Sequence, residues 1–219
     1  SLHSLTRAGI SVIGGENYTF SVYVKPKSRT RIKLKLSNSG TGGYGETVCN
    51  ARTSAVTSTA VSGAFANPVA KAEPIGRGWV RCSLTVQGDG GSSFDAQINV
   101  FNGADTYTGN TYDAVILWGA QLEMNLTPST YVATTSAVAN GGPRFSYNAE
   151  NYDPRGLLIE PASNNLILRS QSMDTTPWVK AGTTVVEQDI LTPSGFVHGN
   201  RIVEDTSTGY HYIRQPVTK

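Results

Sequence analysis

Residues 18–36 read YTFSVYVKPKSRTRIKLKL, and this stretch decides the fold class. Apolar and polar side chains alternate in it with a period of two, first over residues 18–24 and again over residues 31–36. Successive side chains of a β-strand point to opposite faces of a sheet, so each run predicts a strand with one buried face. The segment Lys25-Pro26-Lys27 between the two runs predicts the turn that joins them.

The same alternation recurs along the rest of the chain. Residues 80–86 and 96–100 predict a second pair of strands around the turn Gly88-Asp89-Gly90-Gly91. Residues 114–122 are apolar on both parities, which is typical of a central strand that is covered on both faces. Shorter strands are predicted in the C-terminal part of the chain, at 157–160, 166–169, 183–187, 201–204 and 210–217.

The composition agrees with a strand-rich domain and excludes several other classes of protein. The chain has 219 residues, of which 23 are Gly and 10 are Pro, and only 16% are charged. So little charge argues against a coiled coil or a charged disordered tail. The net charge of +2 argues against a nucleic-acid partner. No stretch approaches the roughly 20 apolar residues of a membrane span, so we expect no membrane insertion.

Many short strands without crossover helices predict an all-β fold, a β-sandwich of the jelly-roll type. Only residues 56–69 are rich enough in alanine to predict a short helical turn. The two cysteines, Cys49 and Cys82, are too few for a disulfide scaffold and lack the spacing of a metal site. Because Cys82 shares its strand parity with apolar residues, we expect it to be a buried free thiol.

The sequence lacks the motifs of the common enzyme classes. It has no Gly-x-Ser-x-Gly elbow and no phosphate-binding Gly-rich loop, and none of its three histidines has a second His or a Cys at metal-ligand spacing. Its carboxylates cannot be paired across a glycosidase cleft from the sequence alone. We therefore expect no catalytic residue and no cofactor. Oxygen-rich loops at 102–105 and 110–113 leave a structural Ca²⁺ open, although turn formation also explains these residues.

Four aromatic side chains are candidates for a carbohydrate-binding site. Sugar recognition on a β-sandwich uses flat ring faces that are flanked by hydrogen-bonding groups. Trp118 lies in the most apolar strand and Trp79 begins a regular strand, so we expect both to be structural. The four candidates lie in polar or Gly-rich surroundings and are Trp178, Tyr44, Tyr107 and Tyr112. The alternative is that their rings only pack within their own loops.

Several motifs resemble those of a family of bacteriophage virion proteins. This family comprises tail-fibre, head-spike and decoration-type proteins built on concanavalin-like, carbohydrate-binding jelly-roll modules. The resemblance implies a carbohydrate-binding-module-like jelly roll without catalytic activity. The motifs are YTFSVYVK (18–25), GWVRCS (78–83), LWGAQLE (117–123), PSTY (128–131), PRF (143–145), GLLIEP (156–161) and NLILRS (165–170), followed by Trp178.

The order of these motifs implies a permuted or split module. In the family, the PRF, GLLIE and NL segments precede the other motifs, whereas here they follow them. We therefore expect residues 1–135 to be the second part of a jelly roll and residues 136–156 to be a connector. Residues 157–219 then complete a jelly roll in the same chain, in a neighbouring copy or in the next module. Without such strands, residues 1–135 would leave a sheet edge exposed.

The resemblance also implies a function. It points to a structural protein at the surface of the virion, an extracellular particle, as a fibre, a spike or a capsid decoration. The expected partners are other virion proteins, further copies of the chain in a trimer, and a host surface polysaccharide. Two alternatives stay open, namely a purely structural assembly or cement protein without glycan binding, and an accessory carbohydrate-binding module of a polysaccharide-degrading enzyme.

The four aromatic candidates distinguish the two main roles. Glycan binding predicts that at least two of their rings are exposed together around a groove. A purely structural role predicts that the rings are buried or lie at contacts between subunits.

Overall fold

The computed structural model describes residues 4–104, 107–109, 111–134, 139–140, 144–147, 154–158, 164–165, 167–176, 178–206 and 212–216. In this part of the chain every regular element is a β-strand, which confirms the all-β fold class. A helix of the length and apolarity that crosses a membrane is absent from the described residues.

The strands are numbered in chain order. They are β1 (Ser4–Ser11), β2 (Asn17–Pro26), β3 (Arg31–Ser37), β4 (Tyr44–Asn50), β5 (Ala55–Ser62), β6 (Ala66–Gly76), β7 (Trp79–Gln87), β8 (Ser93–Phe101), β9 (Ala114–Glu123), β10 (Ala139–Asn140), β11 (Arg144–Tyr147), β12 (Pro154–Leu158), β13 (Asn164–Asn165), β14 (Val179–Ala181), β15 (Thr183–Leu191), β16 (Val197–Glu204) and β17 (Tyr212–Pro216).

Two large sheets contain most of these strands. A seven-stranded sheet has the order β14-β17-β1-β8-β3-β4-β5, and a six-stranded sheet has the order β15-β16-β9-β2-β7-β6. Neighbouring strands are antiparallel except for β1 and β17, which are parallel. Two small pairs, β10 with β13 and β11 with β12, lie in the middle of the chain.

The two large sheets pack face to face as a β-sandwich. The apolar parity of β2 and β7 faces the apolar parity of β3 and β8, as the alternation predicts. Cys49 and Cys82 lie in this core as buried free thiols, which confirms the expectation for Cys82. Representative fully buried core residues from both sheets are Phe20, Val22, Ile32, Leu34, Leu84 and Ile98.

Strands from the C-terminal part of the chain belong to both sheets. Strand β16 pairs with β9, and β17 pairs with β1. Ile167, Met173 and Trp178 are buried in the same core. Strands β14 to β17 therefore share sheets with strands of residues 4–123 of the same chain. Most of the connector expected at 136–156 lies outside the described residues, and the predicted domain boundaries stay a prediction.

Two local expectations are wrong. Residues 56–69 lie in β5, in β6 and in the turn between them rather than in a helical turn, because β5 pairs with β4 and β6 pairs with β7. The strand expected at 166–169 is a turn over its described residues, 167–169. The Asn165 side chain accepts a hydrogen bond from the Ile167 amide at 3.0 Å, which favours a turn over an extended strand.

Candidate functional site

Two of the four aromatic candidates, Tyr107 and Tyr112, lie in the loop between β8 and β9 at one end of the sandwich. Strands of both sheets start or stop at this end. Arg31 of β3 pairs with Phe101 at the end of β8, and the start of β9 pairs with residues near the end of β16. Charged side chains from three separate segments therefore meet there.

Arg29, Tyr107, Asp113 and Glu204 form what we call the ion cluster. Arg29 Nη2 lies 2.8 Å from Asp113 Oδ2, and Arg29 Nε lies 3.9 Å from Glu204 Oε1. The guanidinium also packs over the Tyr107 ring, with its Cζ 4.8 Å from the ring centroid. The Tyr107 hydroxyl lies 2.9 Å from Glu204 Oε1 and 3.1 Å from the Val100 carbonyl oxygen, and it donates to one of them.

The ion cluster perturbs the titration of Tyr107. Burial raises the pKa of this phenol, and the adjacent Glu204 carboxylate raises it further. Arg29 acts in the opposite direction but does not cancel these effects. The phenol therefore stays protonated at neutral pH and serves as a hydrogen-bond donor. Both carboxylates face one guanidinium, so the arrangement ties the loop to β16, and Arg29 offsets part of the negative charge there.

Tyr112 is the most exposed of the four aromatic candidates. Its side chain is 89% exposed, whereas Tyr107 in the same loop is half buried. The Ser28 hydroxyl fixes the backbone around it, because it donates to the Tyr112 carbonyl at 3.3 Å and accepts from the Ala114 amide at 2.8 Å. The exposed ring thus projects from a well-held loop beside the Arg29–Asp113 ion pair.

Tyr44 lies at the other end of the sandwich. It begins β4 opposite Ser37, the last residue of β3, whereas the ion cluster lies near Arg31, the first residue of β3. At about 3.3 Å per residue, the length of β3 separates the two places by about 20 Å. The Lys35 ammonium lies over the half-buried Tyr44 ring, 4.0 Å from its centroid. Tyr44 and Tyr112 therefore do not share a groove.

Trp178 is buried in the core between the sheets, with only 5% of its surface exposed. Its indole Nε1 donates to the Arg169 carbonyl at 3.1 Å, and its amide donates to the Thr175 carbonyl at 3.0 Å. The ring packs in the core and is hydrogen bonded to the turns at 167–176, so neither of its faces is exposed to solvent. Of the four candidates, the structure thus brings together only Tyr107 and Tyr112.

A second buried region lies on the outer face of the six-stranded sheet. Residues 124–134, which we call the covering segment, run across this face. Trp79 and Trp118 are buried on this face, as expected of structural residues, although neither lies between the sheets. Tyr131 of the covering segment packs on the Trp118 ring at a centroid distance of 4.5 Å.

Polar side chains that the alternation assigns to the outer face are buried as well. We call the polar layer the buried residues Thr19, Ser21, Arg81, Thr85, Gln121 and Glu123, together with the half-buried Ser129 of the covering segment. Strands β2, β7 and β9 lie side by side, so their outer parities form one continuous surface. The layer is held by hydrogen bonds to the backbone of the covering segment.

Arg81 and Thr19 bind this backbone from β7 and β2. Arg81 Nη1 donates to the Ser129 carbonyl at 2.6 Å, and Nη2 donates to the Ser21 hydroxyl at 3.0 Å. The Thr19 hydroxyl donates to the Asn125 carbonyl at 2.8 Å. Carbonyl groups of an irregular segment are thus satisfied by side chains, as buried backbone groups require.

Gln121 and Glu123 of β9 also bind the backbone of the covering segment. Glu123 Oε1 accepts from the Ser129 amide at 2.9 Å and from Gln121 Nε2 at 2.8 Å. Gln121 Oε1 in turn accepts from the Val132 amide at 2.8 Å. Both side chains are fully buried. This layer was not predicted from the sequence, although polar residues that recur on one parity of three adjacent strands were its visible signal.

The oxygen-rich loops do not form a cation site in the part of the chain that the structure describes. Asp105 and Asn110 lie outside the described residues, and the Asp113 carboxylate pairs with Arg29. No group of three or more His, Cys, Asp or Glu side chains among the described residues could hold a metal ion. A structural Ca²⁺ stays a prediction from the loop sequence.

Comparison with protein-family models and with curated proteins gives no match to this chain. The function must therefore be argued from the motifs of the sequence and the geometry of the described residues.

Proposed function

We propose that the chain is a non-enzymatic structural protein of a phage virion, in which the sandwich serves assembly as a fibre, spike, decoration or cement component. The motifs from YTFSVYVK to NLILRS support the virion part of this proposal, and from their order we propose that the observed β-sandwich is a permuted jelly roll. Scaffold motifs of this kind do not specify a ligand. The proposed location is the surface of the particle.

One observation carries the structural part of the proposal. Three of the four side chains expected to bind a ligand instead make contacts within the protein. Trp178 is buried in the core, and the Tyr107 hydroxyl is hydrogen bonded in the ion cluster. The Tyr44 ring is covered on one side by Lys35. Such placement favours the purely structural alternative over a groove lined with several aromatic rings.

Immunolabelling of particles tests the virion role. Antibodies raised against the purified chain should label intact phage particles released by cells that carry the gene. Pre-adsorption of the antibodies with the chain should abolish the labelling, which controls for cross-reaction. Particles that remain unlabelled, and that lack the chain by mass spectrometry after disruption, would contradict the proposal.

Glycan binding at the loop of Tyr112 is the second candidate, and the exposure of this one ring favours it. A ring that is 89% exposed beside a charged pair has the elements of a weak sugar site. The test is binding to a panel of bacterial surface polysaccharides and to whole cells. Saturable binding that Tyr112→Ala abolishes and Tyr44→Ala preserves would place the site at this loop. Equal binding by all three proteins, or none, would remove this candidate.

A further inference from the structure

Two cysteines face each other across the core of the sandwich. Cys49 belongs to β4 in the seven-stranded sheet, and Cys82 belongs to β7 in the six-stranded sheet. Neither side chain has exposed surface, and both lie in the same apolar core. A buried free cysteine usually packs as a small apolar side chain, so burial alone assigns no role to either thiol. What sets this pair apart is that the two thiols lie opposite each other.

Close packing of Gly45 on Val86 shows how β4 lies over β7. A Cβ at Gly45 would come within 2.6 Å of Val86 Cγ1, so the two residues are in direct contact across the core. Further along β4, the Cys49 sulfur lies 3.9 Å from the carbonyl oxygen of Lys71 in β6. Lys71 is adjacent to the residue of β6 that pairs with Cys82. The step from residue 45 to residue 49 along β4 therefore leads from residue 86 back to residue 82 along β7.

The two strands approach each other closely where these residues lie. Cα atoms of β4 come within 8 Å of Cα atoms of β7, whereas sheets that pack face to face are commonly about 10 Å apart. Glycine at position 45 permits this approach, because a Cβ there would overlap Val86. A disulfide spans about 4.4–6.8 Å between Cα atoms and requires its sulfurs to point toward each other. The short distance between the strands brings such a bond within reach.

The two sulfurs also contact each other directly. The Cys82 thiol donates a hydrogen bond to the Cys49 sulfur, and this bond lowers the pKa of the Cys49 thiol. The same bond and burial raise the pKa of the Cys82 thiol well above its ordinary value. Opposite directions are expected for the acceptor and the donor of one hydrogen bond. Both side chains therefore point at each other, as a disulfide requires.

We propose that Cys49 and Cys82 are a disulfide site, which cross-links the two sheets under oxidising conditions without rearranging the fold. The oxidant is a small disulfide such as oxidised glutathione. The bond closes a loop of about 34 residues, so it restricts the unfolded chain more than the folded one and stabilises the fold. This inference goes beyond the proposed virion role and does not depend on it.

The reaction consists of two thiol–disulfide exchanges. One cysteine thiolate attacks oxidised glutathione, which gives a mixed disulfide and releases one glutathione thiolate. The second cysteine thiolate attacks the protein sulfur of the mixed disulfide and releases the other glutathione thiolate. The protons of the two cysteines end on the two glutathione thiolates, so two hydrogen atoms pass from the protein to the oxidant. Because the folded core leaves neither cysteine exposed, we expect the first exchange to precede closure of the core.

Refolding in a glutathione buffer tests this site. The reduced chain is unfolded in denaturant and refolded with equal concentrations of oxidised and reduced glutathione, and free thiols are then alkylated in denaturant. Mass spectrometry should show that most chains have lost two hydrogen atoms and carry no alkyl group, and peptide mapping should find Cys49 linked to Cys82. Chains in which both cysteines are alkylated or carry glutathione would overturn the inference.

The melting temperature tests whether the fold accommodates the bond. The oxidised chain should melt about 5–15 °C above the reduced chain, as expected for a loop of this length in a domain of this size. Reduction with dithiothreitol should abolish the difference. A bond that forms but does not raise the melting temperature would contradict a cross-link that fits the native core.

Matched controls separate the cross-link from other effects of the oxidant. Cys49→Ala and Cys82→Ala each retain one thiol, and the glutathione buffer should leave their melting temperatures unchanged. A rise equal to that of the parent chain in either variant would exclude the cross-link as its cause. Secretion of the parent chain into the bacterial periplasm, an oxidising compartment, should yield the same linked peptides without refolding. Two free thiols in the secreted chain would also refute the site. Labelling of virions is independent of all these outcomes.

Discussion

The molecule has two buried layers on the two faces of its six-stranded sheet, and they are built on different principles. The inner layer lies between the sheets and consists of apolar side chains such as Phe20 and Leu34. The outer layer lies beneath the covering segment and combines Trp118 and Tyr131 with the hydrogen-bonded polar layer. Apolar packing tolerates small adjustments, whereas a buried polar network is stable only when its members find partners.

The difference shows what alternation can and cannot predict. Thr19, Ser21 and Arg81 have the pattern of a solvent-facing parity, and in a simple sandwich they would face water. They are buried here because a segment without regular structure lies over them and uses their side chains as its hydrogen-bond partners. A sheet face with mixed polarity can therefore be an interior face.

The largest effect is expected for the inner layer. Trp178→Ala should lower the free energy of unfolding by about 3–5 kcal/mol, because it leaves a cavity in the core and an unpaired Arg169 carbonyl. Denaturant titration followed by circular dichroism measures this loss. Trp178→Phe keeps most of the ring volume and should cost distinctly less. A Trp178→Ala protein of unchanged stability would contradict the burial of this residue.

The next effect concerns the polar layer. Glu123→Ala should lower the free energy of unfolding by about 1–3 kcal/mol, because the Ser129 amide and the Gln121 amide group lose their buried acceptor. Glu123→Gln retains a carbonyl oxygen for these bonds and should cost less. Glu73→Ala, at an exposed position of β6, is the matched control and should change stability by no more than about 0.5 kcal/mol. Equal losses for Glu123→Ala and Glu73→Ala would argue against a covered face.

The third prediction concerns Gly119 of β9, the strand whose side chains contribute to both layers. Gly119 has a φ of +63°, and a Cβ there would lie 3.0 Å from Tyr23 Cδ2 and 3.2 Å from Tyr131 Cε2. Gly119→Ala should therefore cost about 1–2 kcal/mol through its left-handed backbone. The near-ultraviolet circular dichroism should change as well, since both tyrosine rings must move. An unchanged spectrum together with unchanged stability would contradict a left-handed backbone at Gly119.

The smallest effect is expected for Asp89, which lies in the loop between β7 and β8 and outside the covered layer. Partial burial acts to raise the pKa of Asp89, yet hydrogen bonds from Thr41, Asn38 and the Gly91 amide lower it. A lowered pKa stabilises the fold above the ordinary value of about 3.9, and this contribution is lost as the pH falls through the folded pKa. Asp89→Asn should thus lower the melting temperature slightly at pH 7. The difference should vanish in acid, and a difference that grows with falling pH would contradict this sign.

The sequence predicted the inner layer well because its physical cause is local. Alternation over residues 18–24 and 31–36 predicts two strands and the apolar face that each turns to the core between the sheets, and the structure confirms both. The apolar run at 114–122 predicted a strand covered on both faces, as observed. The bulge at Gly119 was not predicted. It reverses which alternate residues of β9 face inward, so that Leu117 and Ala120 face the core whereas Trp118 and Gln121 face the covering segment.

The candidate site was predicted less well because exposure depends on distant parts of the chain. The polar context of Trp178 suggested an exposed ring, but the turns at 167–176 carry it into the core. The same context around Tyr112 does leave that ring exposed. The ion cluster joins Arg29, Asp113 and Glu204 from three segments, and no local pattern brings such residues together.

Hydrogen exchange of two amides tests the central claim, that the outer face of the six-stranded sheet is a second interior. The Ser129 and Val132 amides donate to the buried side chains of Glu123 and Gln121, at 2.9 and 2.8 Å. Neither amide belongs to a strand, so both are protected from exchange only if the covering segment stays packed on the sheet. We predict that both amides exchange about as slowly as those of β9. Exchange at the rate of an open loop would contradict the account.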